Sequence, residues 1–372
     1  MELLNRKKTG KVERPVKVLQ FGEGNFLRAF VDYMIDIANE QGKFNGDIVL
    51  VKPIEFGSLD RFHDQECQYT VQLRGIVDGE PKRINRIVTS VADAVDAYGE
   101  YQKYADYAKL DSLRYIVSNT TEAGIVYDDT DRLEMEPPKS YPGKLTKFLY
   151  ERYKHFNGAM DKGLVMLPVE LIDDNGIHLK ECVEKLAVLW NLEDGFKTWL
   201  DEACVFTSTL VDRIVTGYPR DEAEELCKEF GYQDNLIVTG EPFALWVIES
   251  AKDISKEFPL PDAGLPVIFT DNQKPYKQRK VRILNGAHTS FVLASYLCGN
   301  DIVLESMQDE LIFNFMKATI FDEVIPTLTL PKQDLIDFAE AVITRFNNPY
   351  VKHALLSCLL YTSPSPRDYA AS

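Results

Sequence analysis

The chain has 372 residues, 45% of them hydrophobic and 27% charged, which is ordinary for a globular protein and long enough for two domains. Its 58 acidic and 42 basic residues give a net charge of −16, which disfavours nucleic acid and anionic membranes as partners but leaves room for an anionic ligand in a local pocket. The six cysteines form no Cys-x-x-Cys pair, and there is neither a signal-peptide pattern nor an apolar run of ~18 residues. We therefore expect a cytoplasmic protein with reduced thiols and no membrane span.

The first part of the chain alternates predicted strands with predicted helices. A strand over Val16–Phe21 is followed by a helical pattern that ends near Gly42, and a second strand covers Asp47–Pro53. Three more apolar, β-branched runs predict strands at Leu113–Asn119, Leu164–Glu170 and Val205–Val211. Helical patterns separate several of these runs, so the sequence predicts an α/β fold with a mostly parallel sheet.

From about Asp271 onward, periodic helical patterns replace the alternation and predict a second, mainly helical domain. The Pro- and Gly-containing segment 258–275 is the expected boundary, which gives domains at 14–262 and 273–360. At the end of the second domain an apolar helix runs directly into a Ser/Pro-rich tail, residues 361–372. We expect this tail to be non-native sequence and the helical domain to be incomplete, with a flexible native terminus as the alternative.

A glycine turn follows the first predicted strand. Gly22 and Gly24 stand where a dinucleotide pyrophosphate would meet backbone N–H groups and the positive end of a helix. The third glycine of G-x-G-x-x-G is absent, since Leu27 stands there, so a purely structural turn is an equal alternative. Glu55, beyond the second strand, is a candidate to bind an adenosine ribose, with Asp60 as a competitor and a solvated surface side chain as the alternative.

Polar groups follow several of the later strands. Asn119, Thr120 and Thr121 come directly after the third predicted strand, where ligands of open α/β sheets bind, although they are equally suited to cap a following helix. Glu170 and Asp212 stand at the ends of later strands. A single acid in such a place is usually a cap or an ion-pair partner, but several that converge on one edge favour a site.

The helical segment KVRILNGAHTSF carries three polar side chains among apolar neighbours. On an α-helix, His288 and Asn285 lie about 80° and 140° around the axis from Lys280, so the three share one side. A buried Lys can act as a general acid or base, and Asn and His can hold a carbonyl oxygen. Gly286 weakens a helix by roughly 1 kcal/mol, which calls for a reason such as close approach of a ring. A snorkelling Lys and a core His are the alternative, and no histidine spacing predicts a metal site.

The motif Lys280-x₄-Asn285-x₂-His288 resembles the signature of the mannitol dehydrogenase family, the polyol-specific long-chain dehydrogenases. The turn FGEGNFLRAF is similar to the family's phosphate-binding turn, which also lacks the third glycine. The chain carries four further matches in the family's order, so that the resemblance covers roughly residues 16 to 358. These matches are SNTTEAG, VDRI (Val211–Ile214), EPFALWVIE (Glu241–Glu249) and RFNNP (Arg345–Pro349).

The resemblance implies a Rossmann-like NAD-binding domain, a helical substrate domain, the cofactor NAD(H) and no metal. Lys280 is then the general acid–base, while Asn285 and His288 bind and polarise the carbonyl. Asp212, Glu170 and Arg345 become substrate-binding residues, and Arg345 suits a substrate with negative charge. The cofactor-binding residues implied are Gly22, Gly24, Asn25, Phe26, Arg28, Glu55, Asn119 and Thr120.

Within the family, the motifs are most similar to those of the keto-hexuronate reductases. They imply NADH-dependent reduction of D-tagaturonate to D-altronate in hexuronate catabolism, with fructuronate reduction or a mannitol-type polyol dehydrogenase as alternatives and a non-catalytic nucleotide-binding fragment as an alternative of another class. Glu170 and Leu171 replace the Asp-Asn pair of mannitol dehydrogenases, and Lys277 replaces a family Glu, which fits an acidic sugar. The choice of epimer, NAD over NADP and the oligomeric state are left open.

Overall fold

The computed structural model describes residues 1–121 and 123–356. The predicted non-native tail, 361–372, and Cys358 lie outside the described residues. The chain divides into two compact units. The first comprises Met1–Gln72, Asn85–Gly240 and Ala244–Asp271, and the second comprises Leu73–Ile84, Glu241–Phe243 and the residues from Asn272 onward. The two short segments in the second unit had been placed in the first domain from sequence.

Three sheets contain the strands of the described residues: a six-stranded sheet of order β5-β2-β1-β6-β7-β8, a four-stranded sheet β10-β11-β3-β4 and a three-stranded sheet β13-β12-β9. The strands are β1 (Val16–Phe21), β2 (Asp47–Lys52), β3 (Tyr69–Val77), β4 (Glu80–Val88), β5 (Val91–Asp96), β6 (Tyr115–Ser118), β7 (Val165–Pro168), β8 (Val205–Phe206), β9 (Ser208–Asp212), β10 (Val215–Gly217), β11 (Val238–Gly240), β12 (Leu245–Glu249) and β13 (Val267–Thr270).

Helices account for most of the remaining regular structure. They are α1 (Arg6–Thr9), α2 (Asn25–Leu27), α3 (Tyr33–Glu40), α4 (Asp60–Asp64), α5 (Tyr101–Asp106), α6 (Tyr141–His155), α7 (Asn175–Leu189), α8 (Asp194–Glu202), α9 (Ala223–Phe230), α10 (Lys274–Arg279), α11 (Gly286–Leu297), α12 (Val303–Gln308), α13 (Glu310–Ala318) and α14 (Lys332–Phe346). Three π-helical segments, Arg28–Asp32, Lys280–Asn285 and Thr319–Val324, continue α2, α10 and α13. Short 3₁₀ turns lie at Tyr107–Lys109, Met160–Lys162, Pro261–Ala263 and Ile325–Thr327.

The six-stranded sheet is parallel throughout and has the strand order of a Rossmann fold, because β1 lies at its centre with β2 and β5 on one side and β6, β7 and β8 on the other. All six residues of β2 are buried, as expected for a strand that is covered on both faces. The order of the strands reverses between β1 and β6. The crevice beyond their carboxyl ends is therefore the place where this fold binds ligands.

The structure corrects one predicted strand. The run Val205–Val211 is two strands, because β8 pairs in parallel with β7 while β9 pairs antiparallel with β12. Thr207 stands between them, and its N–H and hydroxyl both donate to the carbonyl of Met166, at 3.1 and 2.8 Å. These bonds close the parallel ladder at this point and let the chain continue in another sheet. The apolar pattern alone carries no sign of this change of partner.

The second unit is mainly helical, as predicted. The π-helical segment Lys280–Asn285 joins α10 to α11, and α13 and α14 complete the main helices. Its buried apolar side chains recur at helical spacing and include Ile283, Ala287, Phe291, Val342 and Phe346. Lys280 and Asn285, at the two ends of the π-helical segment, are half-buried.

Candidate active site

The glycine turn begins where β1 ends. Gly22 has a φ of +119°, and a Cβ there would lie 3.1 Å from the carbonyl oxygen of Asn119, so only glycine suits this position. At Gly24 nothing lies within 4 Å of the place that a Cβ would take, which leaves the backbone open. Leu27, in the place of the third glycine, is buried, and its Cδ1 would be 3.2 Å from a Cβ on Gly22. Leu27 therefore packs against the turn at Gly22, whereas the space beside the backbone of Gly24 is open.

The segment after β6 meets the turn across the switch point. Asn119 donates its backbone N–H to the carbonyl of Phe21, 3.1 Å away, which continues the pairing of β6 with β1. Glu170, at the end of β7, accepts hydrogen bonds from the backbone N–H of Thr120 at 3.0 Å, its hydroxyl at 2.9 Å and the Ser118 hydroxyl at 3.1 Å. Burial raises the pKa of Glu170, and these bonds oppose that rise. Glu170 thus fixes the segment that carries Asn119 and Thr120.

The alternative assignment of these residues as helix caps does not hold, because the next helix along the described chain, α6, begins at Tyr141. Instead, Asn119, Thr120 and Thr121 line a cavity of about 780 Å³ together with Gly22 and Gly24. This volume is within the range typical of small-molecule and cofactor sites, ~300–1,000 Å³. Its walls are completed by Glu23, Pro53, Ile54, Ala123, Gly124, Val126, Tyr127, Asp128, Asp129, Lys139, Ser140 and Tyr141.

Four of the predicted cofactor residues are not among the residues that line this cavity: Asn25, Phe26, Arg28 and Glu55. Arg28 is buried, and its guanidinium donates to the carbonyl of Leu236 and to Asn25 Oδ1, both at 2.6 Å. Burial lowers its pKa. These contacts give Arg28 a role in holding the helix after the glycine turn, and a contact of any of the four with cofactor stays a prediction.

Lys52, at the end of β2, is a buried cation that the sequence reading did not single out. Its Nζ donates to the carbonyls of Ile54, Glu55 and Phe56 at 3.0, 3.2 and 3.3 Å and pairs with Asp96 Oδ2 at 3.0 Å. The three carbonyls are thereby gathered around one ammonium group, which shapes the loop that exposes the Glu55 side chain. A lysine that directly follows the apolar run Ile48–Val51 of the predicted strand was the available signal.

In the second unit, the Lys-Asn-His segment is not a plain α-helix. The N–H of Gly286 donates to the carbonyl of Val281, five residues earlier, which is the bond of a π-helix. Lys280 and Asn285 are also five residues apart, so this wider turn brings them above one another, and His288 follows one α-helical turn later. This geometry agrees with the predicted shared side and gives a closer alignment than the 140° separation on an α-helix, while the roles of the three residues stay predictions.

His288 is buried, with 6% of its surface exposed. Its ring lies 4.5 Å from the ring of Phe346 and 5.5 Å from that of His353, measured between centroids. Its Nε2 has no hydrogen-bond partner among the described residues. Burial, with the nearby His353 and Arg345, lowers the pKa of His288 to about 3. At neutral pH this histidine is therefore an uncharged imidazole whose Nε2 is buried without a partner among the described residues.

Arg345 lies in the same part of the second unit, where its guanidinium forms a two-point ion pair with Glu241. Nε and Nη2 of the arginine lie 2.9 and 2.8 Å from the two carboxylate oxygens, and both side chains are buried. The guanidinium also stacks on the ring of Phe243, 4.2 Å from its centroid. Glu241 thus neutralises much of the positive charge of Arg345, which was predicted to bind an anionic substrate. Binding of substrate by Arg345 stays a prediction.

Asp212 ends β9 and is buried, and its backbone pairs with Leu245 of β12. Its predicted contact with substrate is not tested by the described contacts. Two further residues were missed from sequence: Glu241, although its motif was noted, and His353, which follows RFNNP by four residues. A second histidine close to that motif was the signal for His353.

Within residues 1–121 and 123–356, no group of three or more His, Cys, Asp or Glu side chains is arranged to hold a metal ion. Over the same residues, no helix is long and apolar enough to cross a bilayer. The five cysteines of this part of the chain are free thiols, and four of them are buried, as expected.

A Rossmann-order sheet with a glycine turn and a cavity at its switch point, followed by a helical unit with aligned Lys, Asn and His, defines a dehydrogenase. The chain belongs to the mannitol dehydrogenase family: residues 16–261 match the mannitol dehydrogenase Rossmann domain, and residues 272–363 match the mannitol dehydrogenase C-terminal domain. The predicted family and fold class are thereby confirmed.

Among curated proteins, the chain is 45% identical to an altronate oxidoreductase from Bacteroides thetaiotaomicron, over 98% of this chain and 76% of that protein. It is 46% identical to an altronate oxidoreductase from Yersinia enterocolitica, over 97% and 75% respectively. Among solved structures, a D-sorbitol dehydrogenase superposes with a TM-score of 0.81 at 22% identity, covering 96% of this chain and 77% of that one. A Pseudomonas fluorescens mannitol 2-dehydrogenase, in a complex with NAD and D-mannitol, gives 0.75 at 23% identity, covering 96% and 76%. These structures share the fold.

Proposed function

We propose that this protein is an NADH-dependent altronate oxidoreductase, which reduces the keto-hexuronate D-tagaturonate to D-altronate. The observation that carries the proposal is the similarity over nearly the whole chain to the altronate oxidoreductases of Bacteroides thetaiotaomicron and Yersinia enterocolitica. At 45–46% identity the similarity covers both the Rossmann domain and the helical domain. The protein is accordingly a cytoplasmic enzyme of hexuronate catabolism whose partner is a sugar acid.

The first unit fits a dinucleotide. Gly24 leaves backbone open beside the cavity, Gly22 allows close approach of Asn119, and the start of the following helix offers N–H groups to a pyrophosphate. Asn119 and Thr120, held by Glu170, contribute polar groups to the same cavity. When bound, NADH supplies the hydride that reduces the substrate carbonyl.

Reduction also needs a proton for the carbonyl oxygen, and the second unit offers two basic side chains for it. His288 is a poor donor of a proton at neutral pH, because its imidazole is already uncharged there and its pKa is lowered to about 3. Lys280 is therefore the acid that protonates the oxygen in reduction and the base that accepts the proton in oxidation. Neutral His288, through its unpartnered Nε2, and Asn285 hold that oxygen by hydrogen bonds.

The segment that carries Lys280 is strongly basic in an acidic protein. Lys274, Lys277, Arg279, Lys280 and Arg282 fall within nine residues without an acid among them, whereas the whole chain has a net charge of −16. Lys277 on α10 precedes Lys280, the first residue of the π-helical segment, by three residues, so the two cations lie on neighbouring turns. A local positive charge of this kind favours an acidic sugar over a neutral polyol.

The proposal is tested with purified protein in the oxidising direction, by following NADH formation from NAD⁺ with three substrates. D-altronate should give the highest kcat/KM, D-mannonate a lower value, and D-mannitol little or no turnover. A preference for D-mannonate would assign the protein as a fructuronate reductase, and a preference for D-mannitol would make it a polyol dehydrogenase. Binding of NADH without turnover of any of the three would show a non-catalytic nucleotide-binding protein.

A further inference from the structure

A buried cation lies at the base of the loop that follows β2, and nothing in the proposed reaction uses it. Lys52 ends β2 and is 1% exposed. Its ammonium group donates to the backbone carbonyls of Ile54, Glu55 and Phe56. It also faces the partly exposed carboxylate of Asp96, 3.0 Å away. Burying an ammonium group costs free energy that such contacts often do no more than offset, so its place here calls for a role beyond stability.

The carbonyls of the loop depend on this ammonium group. Residues 53–58 form neither helix nor strand. Within the described part of the chain, no backbone N–H donates to the carbonyls of Ile54, Glu55 or Phe56. Consecutive carbonyls that converge on one atom bend the backbone around that atom. Lys52 therefore sets the shape of the loop, which has no ladder of backbone hydrogen bonds to hold it.

The same contacts turn the other side of the loop outward. In a planar trans peptide, the C=O and the N–H that follows it point in opposite directions. The N–H groups of Glu55, Phe56 and Gly57 therefore point away from the ammonium group, and none of them donates to a backbone carbonyl of the described residues. The side chains of Ile54 and Phe56 are 55% and 78% exposed. The loop thus presents hydrogen-bond donors and apolar surface to the outside.

This loop borders the cavity at the glycine turn. Pro53 and Ile54 line that cavity together with residues of the turn. The N–H of Gly22 also donates to the carbonyl of Val51, 2.9 Å away, which ties the turn to the end of β2. In a fold of this kind the turn binds the pyrophosphate, and the adenosine half of a dinucleotide extends past the end of the second strand. The loop after β2 is therefore the wall of the cavity that adenosine meets.

We propose that Lys52 is a positioning residue, which holds the loop 53–57 in the shape that receives the adenosine half of NADH. The inference rests on the proposed function, because it takes the cavity to bind NADH. Lys52 is not among the residues that line the cavity, so it acts through the loop. A preformed loop does not have to be ordered when the cofactor binds, which raises affinity. The effect belongs to the adenosine half, because the nicotinamide half lies on the other side of the pyrophosphate.

The test compares two dissociation constants by fluorescence titration: that of NADH and that of reduced nicotinamide mononucleotide, which lacks the adenosine half. Wild-type protein should bind NADH far more tightly than the mononucleotide. Lys52→Met removes the ammonium group and keeps much of the side-chain volume. We expect it to weaken NADH binding by about tenfold and to leave binding of the mononucleotide within about twofold of wild type. A general loss of structure weakens both.

Lys11→Met is the matched control. The side chain of Lys11 is fully buried and pairs with Asp47 at 2.7 Å, at the start of the same strand. This variant should bind both ligands as wild type does. Asp96→Asn tests the ion pair separately, because it leaves the contacts between Lys52 and the carbonyls in place, and it should keep most of the NADH affinity.

Lys52→Arg is a second variant at the same position and decides the matter if Lys52→Met does not fold. It keeps the positive charge that faces Asp96, but a planar guanidinium spreads its N–H groups in a fork and cannot gather the carbonyls around one atom. It should therefore weaken NADH binding and spare the mononucleotide.

The inference is overturned if the folded Lys52 variants bind NADH as tightly as wild type, or if they weaken both ligands equally. It is also overturned if Asp96→Asn loses as much NADH affinity as Lys52→Met, since the ion pair alone would then explain the loss. Wild-type protein that binds the two ligands equally would exclude a role of the loop in binding adenosine. Wild-type protein that binds neither ligand would overturn the proposed function, and this inference with it.

Discussion

At the scale of single residues, the site separates two basic side chains by their surroundings. His288 is enclosed by Phe346, His353 and Arg345, which disfavour its protonation. Lys280 is half-buried at the start of the π-helical segment. In the proposed reaction, the neutral imidazole of His288 binds the carbonyl oxygen and the ammonium group of Lys280 donates the proton.

We expect Lys280→Ala to lower kcat for D-tagaturonate by ~10²–10⁴-fold, since it removes the group that exchanges the proton. NADH affinity should stay close to wild type. Lys274→Ala is the matched control, because Lys274 is an exposed cation at the start of the same helix. Steady-state kinetics of both variants provide the measurement, and equal turnover by Lys280→Ala and the control would refute the assigned role.

The lowered pKa of His288 also predicts how stability depends on pH. In the unfolded chain this histidine takes up a proton below about pH 6.5, whereas in the folded chain it does so only near pH 3. The unfolded state therefore binds more protons in this window, and the free energy of unfolding falls as the pH is lowered from 7 to 5. Urea unfolding at several pH values should show a smaller fall for His288→Gln; an identical slope would mean that His288 is not neutral in the folded protein.

At the scale of elements, the π-helical segment is the feature on which the site depends most. It adds one residue to the turn between Lys280 and Asn285, which aligns them with His288. The sequence predicted a helix here and predicted its polar side, but α-helical geometry places Asn285 too far around the axis. A π-turn forms when a backbone N–H bonds to the carbonyl five residues earlier and not to the one four residues earlier. Side-chain periodicity carries little information about which of these two bonds forms.

Insertion of one alanine directly after Arg282 should rotate Lys280 by about 100° relative to Asn285, because each added residue turns an α-helix by that angle. Arg282 is exposed, and its guanidinium contacts the Thr327 hydroxyl at 3.2 Å. We expect a folded protein whose kcat is reduced by on the order of 10²-fold or more, because the proton donor is displaced. Arg282→Ala controls for a change at the same exposed position and should stay near wild-type activity; if the insertion variant is as active as this control, the alignment is unimportant.

Gly286 lies where the π-helical segment Lys280–Asn285 passes into α11. A Cβ on Gly286 would meet only the carbonyl oxygen of Val281, at 3.7 Å, which is ordinary contact. Gly286→Ala should therefore stabilise the helix, by up to ~1 kcal/mol in the free energy of unfolding. If the glycine makes room for a ligand, as proposed from the sequence, the same variant loses activity despite its added stability. Thermal unfolding and kinetics on one preparation separate the two effects, and a stabilised variant with full activity would contradict the ligand role.

Other elements show which local patterns the sequence reading could use. The strand Val16–Phe21 was predicted with the bounds that it has, because an apolar run that ends in glycines is a strong local signal. The hairpin of β3 and β4 was missed, although Asp78-Gly79 between them is a familiar turn pair and both residues have positive φ. The break at Thr207 could not be predicted, because it depends on partners distant in sequence.

At the scale of the whole molecule, the order of the strands and helices and the family could be predicted from the sequence. The assignment of short chain segments to the two compact units could not. Leu73–Ile84 and Glu241–Phe243 belong to the second unit although they are surrounded in sequence by the first. The second of these segments brings Glu241 to Arg345, 104 residues away, as a buried ion pair. Composition along the chain cannot show such a pair, because each residue alone is an ordinary charged side chain.

An altronate oxidoreductase should reduce an acidic ketose with NADH. The most direct measurement incubates the purified chain with NADH and D-tagaturonate and quantifies both NADH consumption and the sugar acid formed. We expect one D-altronate for each NADH oxidised, with a kcat/KM far above that for D-fructose, which lacks the carboxylate. Oxidation of NADH that is faster with D-fructose, or that yields no D-altronate, would contradict the account.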